Sequence, residues 1–89
     1  MRLARVRGTV VATIKHPTYV GRTLLLCQPV TPTGEARGEQ VIAVDRAQAG
    51  VGDLVLVLTE GNGVRQLLGP NAGPIRSVIV GVVDEVDVP

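Results

Sequence analysis

The sequence has no phenylalanine and no tryptophan, and Tyr19 is its one aromatic residue among 89. Sequence-tolerant binders of single-stranded nucleic acid stack bases on aromatic rings, so that class is poorly served here. There is one cysteine, Cys27, which excludes an internal disulfide and fits a reducing cytosol. With His16 as the one histidine, no Cys/His set exists for a structural zinc. Ser77 is the one serine; neither it nor His16 has an evident triad partner, so no nucleophile–base arrangement emerges. Charge of one sign is also missing: nine Lys and Arg face eight Asp and Glu, for a net charge of +1. That balance gives a small electrostatic footprint for nucleic acid. No apolar run approaches the ~20 residues of a membrane-spanning helix. Basic residues near the start are not followed by an uninterrupted apolar region or a cleavage site, so the chain reads as soluble and unprocessed.

Aliphatic residues take the place of aromatics. There are 17 Val, 9 Leu and 4 Ile, and β-branched side chains favour strands. Residues 3–15 alternate, with Ala4, Val6, Gly8, Val10, Ala12 and Ile14 on one face and Arg5, Arg7, Thr9 and Lys15 on the other. Further strands are predicted over 22–28, 39–44, 54–59 and about 75–86. A turn-rich connection runs from Pro29 to Gly38, and a glycine-rich loop from Glu60 to Pro74. Over 45–50, Asp45 in the N-capping position and Gly50 at the far end predict one helical turn. The fold class that follows is all-β: a small, strongly bent five-stranded sheet or barrel with one short helical turn, spanning 1–89 as a single domain.

The aliphatic content exceeds what one barrel interior holds. Leu24, Leu26, Leu54, Leu56, Leu58, Val80 and Val82 cannot share an interior with Leu25, Val55, Val57, Ile79 and Val83. No other element is long enough to cover the surplus, so a partner subunit is expected to cover it. A domain of this length buries only about 60–65% of its unfolded surface, which also favours oligomerisation.

No catalytic, metal-binding or cofactor-binding residues are predicted. Cys27 sits among apolar neighbours and reads as an inert buried thiol. Arg2, Arg5, Arg7 and Lys15 read as a solvated strand face, with a nucleic-acid-binding barrel as the alternative function. The Gly50-Val51-Gly52 and Gly61-Asn62-Gly63 segments are not phosphate loops, because no Gly-Lys-Ser/Thr follows. They read as turns with positive φ, or as places where backbones approach closely at an interface.

In its order of motifs the sequence resembles the EutN/CcmL family, pentameric vertex proteins of bacterial microcompartment shells. Arg7-Gly8 through Lys15 is similar to the opening strand of that family, and Gly21 through Gln28 to the strand that follows. Asp45, Gly50, Gly52 and Asp53 match its Asp…Gly-x-Gly-Asp pattern, and Ile79 through Asp84 its closing strand. Gly61 and Arg65 keep the ends of a family loop whose two hydroxyl residues are replaced here by Asn62 and Gly63, and Arg76 stands where the family has an acid. The resemblance implies a five-stranded barrel related to the oligonucleotide-binding fold, assembled as a non-enzymatic homopentamer in a cytoplasmic shell, bordered by hexameric shell proteins and acting without nucleic acid or membrane. It also implies that Gly61, Asn62, Gly63, Val64 and Arg65 lie near the ring axis and its pore. Asp45, Gly50 and Gly52 are expected at the same interface.

Overall fold

The computed structural model describes residues 1–11, 22–59 and 77–86. Five strands follow in chain order: β1 (Arg2–Val10), β2 (Leu24–Pro29), β3 (Val41–Asp45), β4 (Leu54–Thr59) and β5 (Ser77–Val82). They form a closed barrel in the order β1-β2-β3-β5-β4. All neighbouring pairs are antiparallel except β3 and β5, which run parallel through Val44↔Val78 and Asp45↔Ile79.

Alternation decides which side chains enter the interior. Ala4 and Val6 of β1, Leu25 and Cys27 of β2, Ala43 of β3, Val55 and Val57 of β4 and Ile79 of β5 form one buried cluster. The register explains why they meet: Ala4 lies opposite Val55, Val6 opposite Cys27, Leu25 opposite Ala43, and Val57 opposite Ile79. The barrel is therefore packed solid with small and β-branched side chains. Burying each valine or isoleucine fully contributes about 1.5–3 kcal/mol relative to exposure.

The surplus aliphatic residues divide into two groups. Leu24, Val44 and Val78 form one register line across β2, β3 and β5 on the outer face. They are only 8%, 2% and 0% exposed within the single chain. This corrects the expectation that only a partner could cover the outer face. The second group stays partly open. Leu26 faces Ile42, which is 54% exposed, and Leu3 faces Leu56. Val82 is 40% exposed, beyond a register shift between Leu56 and Val57.

Two further differences from the sequence reading are local. No helical turn forms over 45–50; two bends at Arg46 and Ala47 stand there instead. Strand β5 ends at Val82 rather than near residue 86, with one further backbone bond to β4, from the Val83 N–H to the Leu54 carbonyl at 2.7 Å. The connection after β2 folds on itself, with a Val30↔Ala36 bridge and a Gly34 N–H to Thr31 carbonyl bond at 2.8 Å closing its turn. Gly34 has φ +93°, so glycine is required there.

Interior and surface isoleucines should respond differently to truncation. Ile79→Val should lower unfolding stability by about 0.5–1.5 kcal/mol. Ile42→Val, at a partly exposed site, should change it by less than about 0.5 kcal/mol under dissociating conditions. Urea unfolding of both variants at one low protein concentration measures the contrast.

Candidate functional site

The motif Asp45…Gly50-Val51-Gly52-Asp53 runs from the end of β3 to β4 and is held by its own two carboxylates and by backbone bonds to neighbouring strands. Asp45 accepts the Ala47 N–H on Oδ1 at 2.9 Å and the Ala49 N–H on Oδ2 at 3.0 Å. An aspartate that binds the backbone two and four residues ahead makes a tight turn without helix, and this displaces the expected helical turn. Gln48 takes the left-handed conformation within this segment, at φ +56°. The left-handed terminator is thus Gln48, and Gly50 does not have the positive φ expected of it.

Gly50 opens a four-residue turn. The Asp53 N–H donates to the Gly50 carbonyl at 3.0 Å, while the Gly50 N–H donates to Asp53 Oδ2 at 2.8 Å. Gly52 sits third in the turn at φ +94°, the arrangement of a type II turn. The turn then docks on β1. The Val6 N–H reaches the Asp53 carbonyl at 2.9 Å, and the Gly52 N–H reaches the Val6 carbonyl at 2.8 Å. Arg5 Nη1 donates to the Gly52 carbonyl at 3.0 Å. The close backbone approach expected at these glycines is therefore made first within the subunit, against β1.

The predicted basic stripe is partly committed to the fold. Arg2 Nη2 donates to the Arg37 carbonyl at 3.2 Å, and Arg5 is held by Gly52. Arg7 is exposed and makes no hydrogen bond or ion pair among the described residues. Lys15, His16 and Tyr19 lie outside the described residues, as do Gly61, Asn62, Gly63, Val64 and Arg65. Of the predicted interface residues, Asp45, Gly50 and Gly52 come together in one connection between β3 and β4.

Neither lone nucleophile stands in a reactive setting. The Ser77 hydroxyl is buried and lies 3.1 Å from Thr59 Oγ1 across the β4–β5 pair. Cys27 is fully buried in the barrel core. Burial pushes its thiol up from the ordinary range, and the nearby Asp45 carboxylate adds to the shift.

Four findings relate this chain to known proteins. Residues 1–84 match the model of the EutN_CcmL family, described as ethanolamine utilisation protein EutN/carboxysome. Among curated relatives, the chain is 46% identical over 90 residues to the bacterial microcompartment shell vertex protein PduN of Salmonella typhimurium, covering 94% of this chain and 96% of that protein. It is 36% identical over 88 residues to the carboxysome shell vertex protein CcmL of Gloeobacter violaceus, covering 99% and 87%. Among solved structures, the GrpN pentameric microcompartment shell protein from Rhodospirillum rubrum superimposes with a TM-score of 0.86 at 34% identity, covering all of both chains.

Two predictions follow from the turn and the thiol. Gly52→Ala should cost about 1–2 kcal/mol, because alanine resists the left-handed region. Gly50→Ala should cost less than about 0.5 kcal/mol, since its Cβ would meet only Asp53 Oδ2 at 3.8 Å and no positive φ is needed. Thermal melts of both variants at equal concentration give the comparison. For Cys27, the folded state holds the thiol proton more tightly than the unfolded chain. This contribution is complete below the unfolded thiol pKa, about 8.5, and is lost as pH rises above it. Cys27→Ala should therefore show a shallower loss of urea midpoint between neutral and alkaline pH than the parent protein.

Proposed function

Because the chain belongs to the EutN/CcmL family, we propose that it is a structural shell vertex protein of a bacterial microcompartment. Five copies close into a ring that caps a corner of a polyhedral shell, as a single domain spanning 1–89. The reading is carried by the full-length likeness to a pentameric shell protein. The partly open aliphatic surface of the barrel supports it. Among the described residues the closed barrel leaves no long free strand edge, which favours joining subunits through side-chain faces over extending the sheet. Leu26 and Ile42 on β2 and β3, with Val82 on β5, supply apolar contact area of the kind that a neighbouring copy covers.

In this role the mechanism is geometric and no bond is made or broken. A heterologous contact, in which one face meets a different face of the next copy, closes into a ring when the rotation per step divides the circle. The rigid docking of the 50–53 turn on β1 fixes the shape that one copy offers the next. Gly61, Asn62, Gly63, Val64 and Arg65 line the ring axis in this reading, with Arg65 bridging subunits through its planar guanidinium. Support for that placement comes from the family resemblance of the loop. Hexameric shell proteins border the ring, inside the bacterial cytoplasm. The nucleic-acid alternative gains no support, since two of its proposed cations, Arg2 and Arg5, bind backbone carbonyls of their own chain.

Native mass spectrometry tests the assembly. The expected species contains five copies of 9.3 kDa, about 46 kDa. A 9.3 kDa monomer alone at micromolar concentration would overturn the proposal. Ile42→Glu should raise the subunit dissociation constant at least about tenfold, because it places a charge where an apolar contact closes. Dilution series followed by mass photometry or analytical ultracentrifugation measure that change.

A further inference from the structure

Two strand glycines have no evident purpose inside the subunit. Gly8 of β1 and Gly81 of β5 each follow the extra residue of a register shift, Arg7 in one case and Val80 in the other. Neither has the positive φ found at Gly34, Gly38 and Gly52. A Cβ added at either would meet nothing within 4 Å among the described residues. A bulge without positive φ accepts ordinary side chains. Glycine in a strand loses more freedom on folding than alanine and packs nothing, so it weakens the strand. Where neither backbone nor packing asks for it, a strand glycine marks close approach by something outside.

Each glycine heads an aliphatic row that crosses three strands. Gly8 faces Leu26, and Leu26 faces Ile42, on β1, β2 and β3. Gly81 faces Leu56, and Leu56 faces Leu3, on β5, β4 and β1. Both rows lie on the outer face, since the neighbours Ala4, Cys27, Ala43, Val55 and Val57 hold the core. All six residues are at least partly exposed, Ile42 most at 54%. Each row therefore offers a gap at its glycine and two aliphatic side chains beside it, with no charge. The rows occupy opposite flanks of β1, one centred on β2 and the other on β4. Val82, next to Gly81, widens the second row, whereas Met1, Val11 and Val51 lie in neither.

The number of rows selects the occupant. An unlike partner requires one such row on this chain. In a heterologous ring every copy offers one face and receives its neighbour on a different one, so two rows are required. We infer that the ring contact seats the Gly8–Leu26–Ile42 row of one copy against the Gly81–Leu56–Leu3 row of the next, with aliphatic side chains of each row entering the gap at the other's glycine. This rests on the ring reading and adds which two faces meet.

Gly8→Leu and Gly81→Leu in the full chain, read by native mass spectrometry, test the pairing. Each variant alone should be a 9.3 kDa monomer, because each keeps one working face. An equimolar mixture should give a dimer with one chain of each kind and nothing larger, since the two intact rows meet once. Gly8→Ala and Gly81→Ala decide the matter if a leucine variant does not fold. Each should raise the subunit dissociation constant about ten-fold. The urea midpoint of the dissociated subunit should stay at or above that of the parent. Either leucine variant keeping five copies would overturn the proposal. So would a mixture of folded variants that stays monomeric, because the rows then do not face each other. Alanine variants with an unchanged dissociation constant, or with a lowered urea midpoint, would overturn it too; the latter places the glycine's role inside the subunit. A parent protein that is itself monomeric would defeat the ring reading, whereas a parent of five copies with any of these contrary results defeats this inference alone.

Discussion

Strand β1 is paired on both edges, with β2 along one side and β4 along the other, and this double pairing closes the sheet. Val6 concentrates the constraint. Its side chain lies in the core at 1% exposure, opposite Cys27. Its N–H and C=O meanwhile hold Asp53 and Gly52. One residue thus ties interior packing, barrel closure and the placement of the 50–53 turn together. Moving the turn would break two backbone bonds beside a packed core, where vacated volume and unpaired amides both carry a cost.

From that constraint follows a division of the surface. The interior is filled by one side of each strand, and the outer line through Leu24, Val44 and Val78 is already buried in the single chain. What remains open among the described residues is apolar surface at Ile42 beside Leu26 and, elsewhere, at Val11, Val51 and Val82. Such surface is suited to close contact between like subunits, since aliphatic surface gains from exclusion of water without demanding a specific partner group.

The barrel itself was legible in the sequence because β1 alternates, Ala4 and Val6 against Arg5 and Arg7, and because the other strands are short β-branched and leucine runs, such as 54–59, bounded by turn residues. The 45–50 segment was misread because its residue types satisfy two local rules at once. An aspartate followed five residues later by glycine suits a short helix, but the same aspartate also closes a non-helical turn on its own backbone. The choice is made outside the segment. Asp45 is fixed by β5 and by the Thr23 carbonyl, and Gly52 by Val6, leaving a span that the tight turn bridges.

The sequence alone determined the all-β class, the number and order of the strands though not their ends, the inert setting of Cys27 and the family resemblance, since each rests on residue type and spacing along the chain. Tertiary structure alone decided which outer residues are covered, that left-handed backbone falls at Gln48 and Gly52 rather than Gly50, and that Arg7 is the extra residue of a bulge in β1. These depend on register between strands far apart in sequence. Alternation says which residues share a face, but only the pairing of β1 with β2 and β4 says what stands opposite them.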